Sequence, residues 1–382
     1  MNTKNLLKLV IIFFISNFIN AQTEKFDSLL NLGINQIYNI KFDDAEKTFS
    51  KVQKEFPKHP AGKFFDAMIV WWKIMIDQDN EEYDEIFEEK LENVIDFCDD
   101  LLDENDENVD AIFFKGGSLG FRGRLYSIRQ KWFDAALDGK DALPLVYEAY
   151  EIDPKNEDVK LGFGIYNYYA EAIPEKYPFI KPAMIFIPKG DKKKGIEQLT
   201  TAAKKAKYAA IESKFFLLTS FYQFEEDFDK ALIYAEELSK MFPNNPIFEK
   251  YVGRIYTKKN DYTQASKIFK SMMDKNENKL LGYNKSVLRE ASYYVAVEQM
   301  RKNQIDLAKK NFLTCEEVSR ILDKNAEEES GFLISALVYL AKINEQQGDK
   351  NNAVKINKEL LRLRDYNGSH EKAKMSLKRI KV

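Results

Sequence analysis

Between Asn108 and Asp153, Arg122, Arg124, Arg129 and Lys131 crowd into one short stretch, interleaved with Phe121, Tyr126 and Trp132. Guanidinium groups beside aromatic faces suit a carboxylate or a phosphate. The same cations have a second use close at hand. The preceding segment, Asp77–Asp110, carries 17 acidic side chains against the single Lys90, and arginines following it would neutralise that surface. Asp77, Asp79, Glu81, Glu85 and Glu88 match positions 1, 3, 5, 9 and 12 of a calcium-binding loop. Glu82, however, stands where the sharp turn needs glycine, and Asp84 where an apolar residue is expected. Phe87, Leu91, Val94, Ile95, Cys98 and Leu102 keep a helical period beneath the acids, so the segment reads as a solvated helix face and no metal site is assigned.

Catalysis has little to work with. His59 and His370 are the only histidines, and both fall in turn segments. There is no P-loop, HExxH or CxxC. Carboxylate pairs are so abundant that no one pair is informative. No catalytic residue and no cofactor site is assigned, and the chain is expected not to be an enzyme.

Composition narrows the class. Hydrophobic residues make up 45% and charged ones 31%, ordinary for a folded protein. Phe (28) and Tyr (20) are plentiful while Gly (16) and Pro (10) are few, which favours an all-helical chain. A net charge of −3 argues against nucleic acid as the partner. Met1–Ala21 reads as a secretory signal: Lys4 and Lys8 precede the apolar run Leu9–Ile15, and Ala21 offers a small residue for cleavage. That run is shorter than the ~20 residues of a membrane span. Cys98 and Cys315 sit on apolar helical stripes and read as buried, unpaired thiols.

The positioning elements recur. In Glu212–Asn245, a frame beginning at Glu212 puts Phe215 at slot 4, Leu218 at 7, Thr219 at 8, Tyr222 at 11, Ala231 at 20, Ala235 at 24, Leu238 at 27 and Pro243 at 32. The same frame fits from Phe26 (Gly33, Ala45, Phe49, Val52, Pro57), Pro246 (Gly253, Ala265, Phe269), Arg289 (Ala296, Ala308, Phe312) and Ile334 (Ala341, Ala353, Leu360). Ala142, Val146, Ala149 and Pro154 take slots 20, 24, 27 and 32 of another copy, where Gly116, Gly117, Gly120 and Gly123 suggest close approach of a second element. Pro60–Gln78 is apolar nearly all round and reads as a helix packed on both sides rather than a span. Pro174, Pro178, Pro182 and Pro188 break up the segment 171–190, whose tip holds Phe179, Ile180, Met184, Ile185, Phe186 and Ile187. Residues 350–382 carry ten basic and three acidic side chains.

These slots resemble the tetratricopeptide repeat, a helix–turn–helix unit that packs against copies of itself. The resemblance implies an all-α fold, a right-handed superhelical solenoid of about seven to eight repeats over residues 22–382, following the signal 1–21. It places an irregular insertion at 171–190 and a cap helix at about 369–382. More weakly, Lys115–Glu236 resembles exported bacterial repeat proteins without an assigned activity. It is also faintly similar to a fungal and animal family linked to the mitochondrial outer membrane and inclusion-body clearance. The chaperone-binding carboxylate clamp of the repeat family wants Lys at slot 5 and Asn at 9. Here those slots hold Lys250 and Arg254 in one repeat and Phe216 and Ser220 in the one before, so the clamp is incomplete. The implied role is a scaffold in the periplasm or cell envelope that binds a protein or peptide, acidic or carboxylate-bearing, in its concave groove. Phe216, Lys250, Arg254, Tyr293 and Lys342 are the groove contacts, with Arg122 and Arg124 extending the surface. The alternative is an envelope assembly factor that touches a membrane through the apolar insert 174–188.

Overall fold

A computed structural model describes residues 22–182, 184 and 188–380. The signal reading of Met1–Ala21 and the insert residues Ile185, Phe186 and Ile187 lie outside them. Among the described residues the chain is helical and has no strand. It divides into two compact units, one up to Tyr234 and one from Ala235.

The first unit holds α1 (residues 22–38), α2 (Phe42–Glu55), α3 (Ala61–Ile76), α4 (Asp84–Glu104), α5 (Val109–Ile128), α6 (Trp132–Ile152), α7 (Val159–Lys176), α8 (Lys192–Lys205) and α9 (Ala210–Gln223). The division falls inside α10 (Phe228–Met241). The second unit continues with α11 (Pro246–Lys258), α12 (Tyr262–Glu277), α13 (Lys285–Arg301), α14 (Ile305–Leu322), α15 (Gly331–Gln346), α16 (Lys350–Leu360) and α17 (Ser369–Ile380). Within each unit consecutive helices pack as antiparallel hairpins.

One backbone device makes six of the hairpins. Slot 15 of the frame is Ile40, Glu226, Asn260, Asn303 and Gly348, and each has a positive φ, of 61°, 50°, 60°, 56° and 77°. Gln130, at 59°, serves the α5–α6 turn in the same way. A left-handed residue stops the helix and turns the chain, and the next N–H reaches back five residues to a carbonyl orphaned at the helix end. Lys41 N–H donates to Gln36 O at 2.9 Å, Lys131 to Tyr126 at 2.8 Å, Asp261 to Tyr256 at 2.9 Å and Asp349 to Asn344 at 2.9 Å. Counted from Gln130, slot 20 falls on Ala135, not Ala142. Both share one stripe because α6, at 21 residues, is two turns longer than the 14-residue α2.

Packing within a hairpin follows from two facing slots. Phe49, Phe269 and Phe312 at slot 24 are fully buried. Gly33 and Gly253 face the first two: a Cβ on Gly253 would lie 2.8 Å from the Phe269 ring, and one on Gly33 would strike Phe49. The slot-20 alanines Ala45, Ala231, Ala265, Ala308 and Ala353 are likewise buried. In the glycine-rich helix α5 the close approach is to α6, since a Cβ on Gly116 would meet Leu145 at 3.3 Å and one on Gly123 would meet Asp138 at 3.2 Å. The helix α3 buries Phe64, Trp71, Trp72 and Ile74 among others, and no described helix is long and apolar enough to cross a membrane. Where the sequence pictured Pro174 ending the preceding helix, α7 runs past it to Lys176. A proline so near the C-terminal end removes one backbone bond and leaves the rest of the helix intact. Pro178–Ile180 then forms a single 3-10 turn.

The two kinds of position give opposite signs on substitution. Glu226→Gly, at an exposed left-handed residue, is expected to stabilise the chain by about 0.5–1 kcal/mol. Gly33→Ala is expected to destabilise it by about 1–3 kcal/mol, because the Phe49 ring has nowhere to move. Urea unfolding followed by far-UV circular dichroism reads both.

Candidate functional site

The cation-rich stretch seen in the sequence lies on α5, against the acidic face of α4. Arg122 pairs with Glu92 and, through two bonds of 3.0 and 2.7 Å, with the buried Asp138 on α6. Arg129 grips Asp84 with two bonds and donates to the carbonyls of Gln78 and Asn80 at 2.6 and 3.2 Å. Tyr126 donates to Glu88 at 3.1 Å, and its phenol is pushed up to about 12, chiefly by burial and then by Glu88. Lys115 pairs with Asp99. The loop with calcium-site spacing is thus held by a guanidinium. Among the described residues no His, Cys, Asp and Glu cluster could hold a metal ion. Cys98 and Cys315 are buried without a disulfide, and burial raises each thiol to about 12.

Arg124 points the other way, into the interior of the first unit. It donates at 2.6 Å to Glu212, which lies on α9 and is itself buried. Its guanidinium lies over the rings of Phe216 and Trp71, at 4.3 and 4.8 Å from their centroids. The other Glu212 oxygen accepts from the Tyr38 hydroxyl at 3.0 Å. Burial, reinforced by the Glu212 charge, raises the Tyr38 phenol well above its usual value. Trp72 meets Tyr38 edge-on at 4.9 Å and Phe215 at 5.7 Å, while Tyr169 of α7 approaches Phe216 at 5.9 Å. The first helices of five successive hairpins therefore converge, and α1 reaches α9. Asp27 of α1 adds bonds to Tyr208 and Lys207, and Asp158 accepts the backbone N–H groups of Lys207, Tyr208 and Ala209 at 3.2, 2.8 and 2.7 Å. The sequence pictured an open groove; in this unit the inward faces meet one another.

The second unit arranges its first helices differently. Arg254 of α11 forms a two-pronged pair with the buried Glu290 of α13 at 2.5 and 2.6 Å. Burial works to raise the Glu290 carboxyl, but Arg254 first, then Lys250 and Arg289, outweigh it and hold it below its usual value. One turn along α13, the half-buried Tyr293 lies 6.3 Å from Tyr339 of α15 and 5.6 Å from Phe332. Lys342 follows on α15, exposed. Lys250, Arg254 and Tyr293 thus follow one another across α11 and α13 around Glu290, a strip that the Tyr293–Tyr339 contact extends to α15, where Lys342 lies three residues beyond Tyr339. Arg122, Arg124 and Phe216 belong to the first unit and are engaged there. Sequence reading passed over Glu212 and Glu290 because carboxylates are so common in this chain. Their position among apolar neighbours on first helices was the available signal.

Residues 27–59 match the family model of the tetratricopeptide repeat. No curated protein matches the chain in sequence. Among solved structures, it is similar to PilF of Pseudomonas aeruginosa, with 14% identity, 65% of this chain and 97% of that chain covered, and a TM-score of 0.40. PilW, a type IV pilus biogenesis factor, gives 15%, 69%, 98% and 0.40. A signal-transduction ATPase with a tetratricopeptide-repeat sensor, from Pyrococcus horikoshii, gives 16%, 93%, 48% and 0.48.

Glu212→Ala leaves Arg124 without its counter-charge inside the aromatic enclosure. A loss of about 3 kcal/mol is expected, largely recovered when Arg124→Met is added. Tryptophan emission reports it, because Trp71 lines that enclosure. In the second unit Arg254→Met is expected to cost about 2–3 kcal/mol, less than for a fully buried pair, since a third of Arg254 remains in water. The folded Glu290 carboxyl lies below the unfolded one, so the unfolded chain binds more protons as acid is added. The pair's contribution is complete above the unfolded value of about 4.3 and is lost as pH falls through the folded one. Far-UV unfolding at descending pH is expected to show this decline in wild type and a shallower one in Arg254→Met.

Proposed function

We propose, for a chain whose first hairpin is a tetratricopeptide repeat and five of whose later hairpins turn on the same left-handed residue, a non-enzymatic scaffold that binds a protein or peptide. The strip of the second unit is the binding surface. The observation that carries this reading is the contrast between the two units. In the first, the inward cation Arg124 and the inward aromatics Phe215 and Phe216 are used on Glu212 and on each other. In the second, Lys342 is exposed and Lys250, Arg254 and Tyr293 keep part of their surface in water.

A strip of ammonium and guanidinium groups around an aromatic ring favours an acidic or carboxylate-bearing segment. Glu290 balances Arg254 and is within reach of Lys250 as well, so the net attraction for such a partner comes first from the exposed Lys342, with Tyr293 as the apolar anchor. The near-neutral charge of the chain gives no support to nucleic acid. The apolar run near the N-terminus, preceded by Lys4 and Lys8, supports export, and with it a working place in the periplasm or cell envelope. No cofactor enters this reading.

Lys342→Glu with Lys250→Gln tests the surface and leaves both Arg254–Glu290 bonds in place. In crosslinking of the purified chain to an envelope extract, read by mass spectrometry against wild type, the partners lost in the double variant are those of the strip. At least about a tenfold fall in their yield is expected. An unchanged set of crosslinked partners would place the binding surface elsewhere.

A further inference from the structure

The most exposed phenylalanines of the described residues are Phe179, at 67%, and Phe133, at 59%. They belong to neighbouring segments. The 3-10 turn Pro178–Ile180 buries Ile180 and turns Phe179 outward. Trp132, the first residue of α6, joins the two: its ring lies 6.2 Å from Phe179 and 6.1 Å from Tyr177, and Phe133 follows it in the chain. One turn further along α6, Leu137 is also exposed. Single exposed apolar residues are ordinary, but an exposed Phe179 set against Trp132 and Tyr177, with the exposed Phe133 next to Trp132 in the chain, is not.

What surrounds them indicates what covers them. Lys131, Lys140, Lys176, Lys181 and Lys189 are all exposed. None of them has a carboxylate within ion-pair distance among the described residues. Lys131 lies over the Tyr126 ring, and Lys176 donates to the Gln223 carbonyl. On the acidic side, Asp134 and Asp141 are exposed on α6, while Glu175 is bonded to Lys192. A phenylalanine outermost, a tryptophan and a tyrosine behind it, and lysines around them match the layers of an anionic bilayer surface. The apolar ring enters the acyl boundary, indole and phenol sit at headgroup depth, and ammonium groups meet phosphates. Protein interface cores are poor in lysine, and a second copy docked on this patch would bring like charges together.

We propose that Phe133, Phe179 and Trp132 form a foot by which the first unit rests on an anionic lipid surface. It carries the membrane reading of the proline-rich insert onto α6, and it stands whether or not the strip of the second unit takes a protein.

Trp71 and Trp72 are buried, so lipid quenching of tryptophan emission reports Trp132. The full chain is mixed with acyl-brominated phosphatidylcholine vesicles, with and without phosphatidylglycerol. Quenching is expected on the anionic vesicles, and Trp132→Phe is expected to remove it. Phe133→Asp with Phe179→Asp is expected to abolish quenching while far-UV circular dichroism stays unchanged. Lys140→Glu with Lys181→Glu is expected to weaken binding to the anionic vesicles roughly tenfold. Residues 1–21 are common to every variant, so a chain held to vesicles by its N-terminal apolar run still reports the foot separately. Vesicle-bound chain with unquenched Trp132, or equal quenching in the double aspartate variant, overturns the proposal. So does a wild-type dimer that the aspartates dissolve while vesicles leave Trp132 untouched, since that assigns the patch to a second copy.

Discussion

A carboxylate withdrawn from water costs several kcal/mol unless its charge is met and its oxygens are bonded. Glu212 is met on both oxygens, by Arg124 and by Tyr38, and the aromatic rings around the guanidinium keep water away from the pair. Because its partners sit on α5 and α1 while it sits on α9, satisfying one side chain fixes three first helices relative to one another. Trp71, Trp72 and Phe215 can only pack as they do once that triangle is set. The interior of the first unit is therefore specified by polar geometry as much as by apolar area.

The repeat frame was legible because it is local. A phenylalanine at slot 24 demands a small residue at slot 8, and Gly33 with Phe49 and Gly253 with Phe269 satisfy that demand in the sequence itself. The turn residues were less visible. Ile40, Gln130 and Glu226 take left-handed backbone although none is the glycine or asparagine that would advertise it. For the same reason slot 20 of the α5–α6 hairpin was placed on Ala142 rather than Ala135: a stripe repeating every seventh residue looks the same from either end of a long helix. The neutralisation of α4 by the arginines of α5 was readable from adjacency in the chain. The meeting of α1 with α9 was not, since nothing in a periodic pattern says which inward faces will find each other across the chain.

Charge separates the two units chemically. The first places an acidic helix against Arg122 and Arg129 and turns Arg124 inward onto Glu212, so that all three are engaged internally. The second carries a basic last third, with the exposed Lys355 and Lys358 on α16, Arg362 in the turn after it, and Lys374 and Lys378 on α17. Buried carboxylates hold its helices through cations and hydroxyls: Glu249 with Lys275 and Tyr283, Glu290 with Arg254, and Glu298 with Thr263, Arg301 and Lys302. Each of these carboxylates lies on a first helix.

The contacts between α1 and α9 also bear on how the chain folds. In a simple solenoid each repeat touches only its neighbours, so order can spread one hairpin at a time as the chain emerges. Here Tyr38 waits for a partner 174 residues away. The loop that must close before that contact forms is long, and non-local closure of this kind slows folding. During synthesis the inward side chains Tyr38 and Trp72 wait for α9 to leave the ribosome, and for that time the first unit is open to chaperones and to aggregation.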